Sequence, residues 1–297
     1  MRLINPINAI LWSIRRNQRD VINLYNSLSP LMLITTGNYM LNFGYWSNET
    51  RTPYEAQKNL CKLIGEVAEL EKAENLIDVG SGLSSPAIFW KQIYNLFDIY
   101  CVNINLNHLI FANRLKENFF LKENLKGKNN ISLINSTANK LTFKKASIDR
   151  IIALESAQHF TPLIEFISDC RYILKNNGIL VIAVPVVTNS LKSGINSLKL
   201  GLLSFTWTSE HYLLNYILNI LKSQQFKIME IQNIGSLVYS PLSNYYIENR
   251  NQFKTKISSE YSSIFEYILY KSLLKMDKLS KNNLIDYIII KSKKIWE

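Results

Sequence analysis

Apolar residues recur along this chain with two spacings, and the alternation between them sets the expected fold. Between Pro53 and Leu70, the positions of Leu60, Leu63, Ile64, Val67 and Ala68 mark one face of a helix. The character changes at Asn75. Leu76, Ile77, Asp78 and Val79 form a short, mostly apolar run that stops at Gly80-Ser81-Gly82, and a helical stretch begins at Pro86. Strand, glycine turn and helix thus follow one another. Further runs at Ile99 to Ile104, Ile131 to Ile134, Ile151 to Leu154, Ile179 to Val184, Phe226 to Ile231 and Leu284 to Lys291 predict more strands, separated by helical patterns. Such alternation predicts an α/β fold whose parallel sheet is covered on both faces.

The clearest helix spans Pro162 to about Asn176. Thr161 is placed to cap it, Pro162 suits its first turn, and Gly178 is expected to end it. Leu163, Phe166, Ile167, Cys170, Ile173 and Leu174 form its inward stripe. Another helix is expected near Ser209 to Lys222, with Leu213, Leu214, Ile217, Leu218 and Leu221 inward. Between the last two strands lie roughly fifty residues, far more than an ordinary connection needs. Positions 236 to 283 therefore read as a folded helical insertion rich in aromatic residues, among them Tyr239, Tyr246, Phe253 and Tyr261. No internal repeat or low-complexity tract interrupts the pattern.

Composition narrows the class. Of 297 residues, 47% are hydrophobic and 19% charged, enough to build a full core and too few charges for a disordered chain. Cys61, Cys101 and Cys170 are odd in number and widely spaced, which suits buried thiols in a reducing compartment better than a disulfide framework or a zinc site. No apolar run reaches the roughly 20 residues of a spanning helix, and the start lacks a signal peptide's order of features, so a cytoplasmic protein is expected. The net charge of +11 is dispersed rather than blocked, which reads as a lysine-rich surface and not a nucleic-acid footprint. His108, His159 and His211 lack the paired spacing of metal ligands, so no metal is expected. His108 and His211 read as structural.

Asp78-Val79-Gly80-Ser81-Gly82 departs from the dinucleotide fingerprint, since Ser85 stands where a third glycine would be and an acid precedes the turn. It resembles the first motif of class I S-adenosylmethionine-dependent methyltransferases. Three further segments carry the resemblance. Gly37 to Trp46 is similar to the entry segment of small-molecule methyltransferases, and Val102 to Asn105 with His108 to Ala112 is similar to their second strand and helix. Ala153-Leu154-Glu155-Ser156-Ala157-Gln158-His159-Phe160 resembles the fourth-strand motif of the sugar, sterol and amine branch. The resemblance implies a Rossmann-like, doubly wound, seven-stranded sheet, mostly parallel with an antiparallel last strand. Residues 1–72 would form a helical cap and cofactor-covering segment, and 73–297 the methyltransferase domain with its lid at about 236–283.

The resemblance also assigns roles. Gly80, Ser81 and Gly82 would let the backbone approach S-adenosylmethionine, and Asp78 would orient the loop or meet the ammonium group. Asn103, beside Ile104, stands where many relatives carry a ribose-binding acid, and Thr137 where they carry an adenine-binding Asp, leaving Ala138 as a backbone contact. Tyr45 and Trp46, with Tyr39 and Asn42 nearby, would cover cofactor or substrate. His159 is the candidate base, because an imidazole titrates near neutral pH, and Glu155 would bind cofactor or tune the substrate. The expected reaction is methyl transfer to O, N or C of a small or medium apolar metabolite. The alternatives are a lipid-directed enzyme with weak peripheral membrane contact through Ile4, Ile7, Ile10, Leu11 and Ile14, or a non-catalytic cofactor-binding relative. Homo-oligomerisation is left open.

Overall fold

In the order of the chain, the elements are α1 (Gln18–Thr36), α2 (Pro53–Val67), β1 (Asn75–Val79), α3 (Ser85–Ile93), β2 (Asp98–Asn103), α4 (Leu106–Lys122), β3 (Asn130–Asn135), β4 (Ile148–Leu154), α5 (Leu163–Ile173), β5 (Leu174–Val187), α6 (Leu214–Ser223), β6 (Phe226–Asn233), α7 (Tyr239–Glu248), α8 (Arg250–Glu260), α9 (Ser263–Lys281) and β7 (Ile285–Lys294). They belong to a computed structural model that describes residues 17–94, 96, 98–122, 130–188 and 212–295. The amphipathic start, His211 and the beginning of the helix expected from Ser209 lie outside the described residues.

The strands form one seven-stranded sheet in the order β3-β2-β1-β4-β5-β7-β6. β1 pairs in parallel with β2 and β4, β2 with β3, and β4 with β5, whereas β6 and β7 are antiparallel. Strand order reverses on either side of β1, so the carboxyl ends of β1 and β4 open at a topological switch point, where ligands bind in sheets of this kind. The apolar runs supply the core: Leu76, Ile77, Val79, Ile151, Ile152, Ala153, Leu180, Val181 and Ala183 are all buried.

The described parts of Lys58–Val184, Leu214–Asn233 and Ile288–Glu297 make one compact unit, the sheet body. A second unit comprises the described parts of Met1–Gln57, Pro185–Leu213 and Ile234–Tyr287. The insertion predicted between the last two strands folds as α7, α8 and α9 in this second unit. There Tyr246 stacks on Phe253 with ring centroids 5.1 Å apart. Glu266, 1% exposed, accepts from Arg250 Nε at 2.9 Å and from the Tyr246 hydroxyl at 3.3 Å. None of the described helices is long and apolar enough to cross a membrane.

One predicted helix ends differently. α5 runs from Leu163 to Ile173, Pro162 rather than Thr161 is its N-cap residue, and no side chain caps it. Leu174 already pairs with Ile148 of β4, so sheet pairing claims the chain before the expected stop at Gly178. The left-handed residue is Asn177, at φ 63°. The predicted stripe of Leu163, Phe166, Ile167, Cys170, Ile173 and Leu174 is buried throughout.

Candidate functional site

The glycine turn leaves β1 at Val79 and enters α3 at Ser85. Gly80 and Gly82 hold φ at 77° and 54°, values that glycine adopts at little cost and other L residues resist. The Gly80 and Ser81 amides both donate to the Val102 carbonyl, at 2.7 and 3.1 Å, and the Ser84 amide donates to the Ser81 carbonyl at 2.7 Å. This tight loop ties the end of β1 to β2.

From the other side comes the turn after β4. The Ser156 hydroxyl donates to the Val79 carbonyl at 2.5 Å, directly beneath the turn. Glu155 takes a left-handed φ of 52°, and its amide donates to the Ala183 carbonyl at 2.8 Å. Ala157 to His159 then form one 3-10 turn, closed by the His159 amide on the Ser156 carbonyl at 2.9 Å. Gln158, 4% exposed, donates from Nε2 to the Glu155 carbonyl at 2.7 Å, while its Oε1 is buried without a hydrogen-bond partner.

Asn103 closes the third side. Its amide nitrogen donates to the Gly82 carbonyl at 2.9 Å and its oxygen accepts from the Asn105 amide at 3.4 Å, so the side chain binds the two loops together. Asn135 reinforces the junction by donating to the carbonyls of Asn103 and Ile104, at 2.9 and 3.0 Å. Thr137 and Ala138 follow in the loop after β3, where the Thr137 carbonyl accepts from the Lys140 amide at 3.3 Å and Ala138 is 9% exposed.

Asp78 carries the site's main electrostatic tension. It stands in β1 opposite Cys101 of β2 and Ile152 of β4, is 2% exposed, and has an Oδ2 with no hydrogen-bond partner. Burial pushes its carboxyl up to about 7. The nearby thiols of Cys61 and Cys101 are raised as well, first by burial and then by the Asp78 charge. A ligand bearing an ammonium group would give that orphaned oxygen its missing donor, so the residues fit an amino-acid-bearing cofactor.

Asp78, Gly80, Ser81, Gly82, Asn103, Ile104, Thr137, Ala138, Glu155 and His159 all belong to the sheet body: Asp78 and Asn103 lie near the carboxyl ends of β1 and β2, and the others on the loops that leave β1, β2, β3 and β4. Tyr45 and Trp46 belong to the second unit. There the Tyr45 amide donates to the Ala56 carbonyl at 2.8 Å, and the Trp46 amide to the Leu237 carbonyl at 2.9 Å. Trp46 packs against Tyr245 at 5.6 Å with its indole N–H unpartnered, while Tyr39 is 48% exposed. His108 is buried, and among the described residues no group of three His, Cys, Asp or Glu is arranged to hold a metal ion.

Sequence reasoning missed Ser156, Gln158 and Asn135 as parts of this site. Ser156 and Gln158 lay inside a quoted motif, but only the fold puts Ser156 under Gly80. Asn135, closing the third strand two residues before Thr137, was the available signal for the loop tie.

A family described as a methyltransferase domain matches residues 77–182, the span that holds this arrangement. The erythromycin 3''-O-methyltransferase of Saccharopolyspora erythraea is 24% identical over 275 residues, covering 88% of this chain and 85% of that protein. Among solved structures, the cyclopropane synthase MmaA2 of Mycobacterium tuberculosis superposes with a TM-score of 0.77 at 14% identity, over 95% of this chain and 97% of that one. The (4+2)-cyclase SpnF gives 0.75 at 17% identity, over 95% and 98%. The structural likenesses establish the fold. With its strand order, acid-led glycine turn and the methyltransferase domain matched over residues 77–182, the chain is similar to the class I S-adenosylmethionine-dependent methyltransferases.

Proposed function

We propose that the chain methylates O, N or C of a small or medium-sized, largely apolar metabolite, and that its site residues divide into a cofactor set and an acceptor set. The observation that carries the proposal is the orphaned Asp78 carboxyl beside a two-glycine turn. Gly80, Ser81 and Gly82 form the cofactor cradle, and Asp78 faces the ammonium group. Asn103 and Ile104 flank the ribose, and Thr137 and Ala138 the adenine.

S-adenosylmethionine supplies a methyl group activated by a sulfonium, and displacement there needs little beyond alignment and exclusion of water. His159 takes the proton from an acceptor hydroxyl or amine as the new bond forms. Glu155 orients the acceptor through hydrogen bonding. The similarity to an erythromycin 3''-O-methyltransferase supports oxygen as the attacked atom.

Calorimetric titration with S-adenosylmethionine and S-adenosylhomocysteine tests the assignment. Micromolar binding is expected, abolished by Gly80→Arg and weakened by Asp78→Ala. No binding at millimolar cofactor would overturn it.

A further inference from the structure

Gln158 is a buried amide used at one end only. Its Nε2 is committed to the Glu155 carbonyl at 2.7 Å, which fixes the orientation of the group, because a flipped amide would set oxygen against oxygen. Its Oε1 is therefore an acceptor, and it is buried with no donor. Native interiors pair the large majority of such atoms, so an unpaired one calls for an explanation.

Position supplies the explanation. Gln158 lies in the 3-10 turn Ala157–His159 that leaves the carboxyl end of β4. Two residues earlier, Ser156 sits against Gly80 of the glycine turn. One residue later comes His159. The unpartnered oxygen thus belongs to the loop that unites the glycine turn with the candidate base. Gln158 does not titrate, so it can hold a proton-bearing group without taking the proton.

We infer that Gln158 Oε1 is a specificity-determining contact that receives the O–H or N–H of the methyl acceptor. This inference rests on the methyltransferase assignment and narrows it. The acceptor is an alcohol, phenol or amine. A carboxylate is rejected, because its oxygens would face the amide oxygen with no proton between them. Leaving Oε1 unpaired penalises any compound without a donor, as sites built to hydrogen-bond a substrate reject analogues that lack the group.

The test uses the intact protein loaded with S-adenosylhomocysteine and three probes sharing one apolar frame: 4-phenylbutanol, 4-phenylbutylamine and 4-phenylbutanoate. Calorimetry should rank the alcohol and amine at least tenfold above the carboxylate. Gln158→Leu should erase that ranking while S-adenosylhomocysteine binding stays within twofold of wild type. Gln158→Glu, which keeps an acceptor oxygen, should retain the alcohol and amine and weaken the carboxylate further. A ranking unchanged in Gln158→Leu, a carboxylate bound as well as the alcohol, or no probe bound at millimolar concentration would each overturn the inference. Failure of the wild-type protein to bind S-adenosylhomocysteine would instead overturn the assignment beneath it. A purely structural role would lower the melting temperature of Gln158→Leu and leave the ranking intact.

Discussion

Gly80 and Ser156 are so close that a Cβ placed on Gly80 would lie 2.3 Å from the Ser156 Cβ. The glycine turn and the loop after β4 therefore form one packed unit, with the Ser156 hydroxyl on the Val79 carbonyl as its hydrogen bond. Gly80→Ala must meet both that clash and the left-handed φ of 77°. The two together should cost about 2–4 kcal/mol of stability. The double variant Gly80→Ala/Ser156→Gly should recover part of the loss, a coupling that urea denaturation of all four proteins would measure.

Asp78 makes a pH-dependent prediction. Its folded-state carboxyl is raised by burial to about 7, so between its ordinary range and 7 the native state holds a proton that the unfolded chain has released. Stability from this group is thus fullest at low pH and falls as pH rises from about 4 to about 7. A shift of about three units corresponds to up to about 4 kcal/mol. Asp78→Asn should then melt several degrees above wild type at pH 8, with a clearly smaller gain at pH 5. Thermal melts at the two pH values check it, and an equal gain at both would contradict the buried-charge account.

The ion pair inside the helical insertion should behave as a buried one. Glu266 has a side chain 2% exposed and Arg250 one 31% exposed, with Arg250 also lying over the Tyr270 ring at 3.6 Å. Arg250→Met strands the carboxylate and should cost about 2–3 kcal/mol, less than a fully buried pair because Arg250 keeps partial contact with water. Removing both charges in Arg250→Met/Glu266→Leu should restore most of the loss. Chemical denaturation of the single and double variants would distinguish a stranded charge from simple loss of packing.

His159 is open to a kinetic test. If it removes the acceptor proton, His159→Gln should lower kcat by about 100- to 10,000-fold. The affinity for S-adenosylmethionine should stay unchanged, because the cofactor set does not include this residue. A fall in cofactor affinity with kcat preserved would move His159 out of the acceptor set.

Much of this architecture was legible from the residues. The runs at Leu76 to Val79 and Ile151 to Leu154 read as buried strands, and the glycines after Val79 as a turn, so the sheet and the glycine turn were both foreseeable. The ends of α5 were not. Thr161 and Gly178 satisfy local rules for starting and stopping a helix, but pairing of Leu174 with Ile148 overrides them, and periodicity holds no record of a partner strand. The site divides in the same way. Asp78, Gly80 and Gly82 announce themselves by type and spacing, whereas the bond from Asn103 to the Gly82 carbonyl joins residues 21 apart and depends on strand register. The orphaned oxygens of Asp78 and Gln158 are properties of packing alone.

The three cysteines, all fully buried and unbonded, give the sheet body a set of internal clocks. Thiol reagents attack the thiolate, and burial holds all three thiols above their ordinary range, so each remains silent until its own element opens. Cys61 times the opening of α2, Cys101 that of β2, and Cys170 that of α5. Labelling rates read by peptide mass would therefore show which part of the sheet body breathes first. They would also show whether cofactor slows Cys61 and Cys101, the pair beside Asp78, more than it slows Cys170.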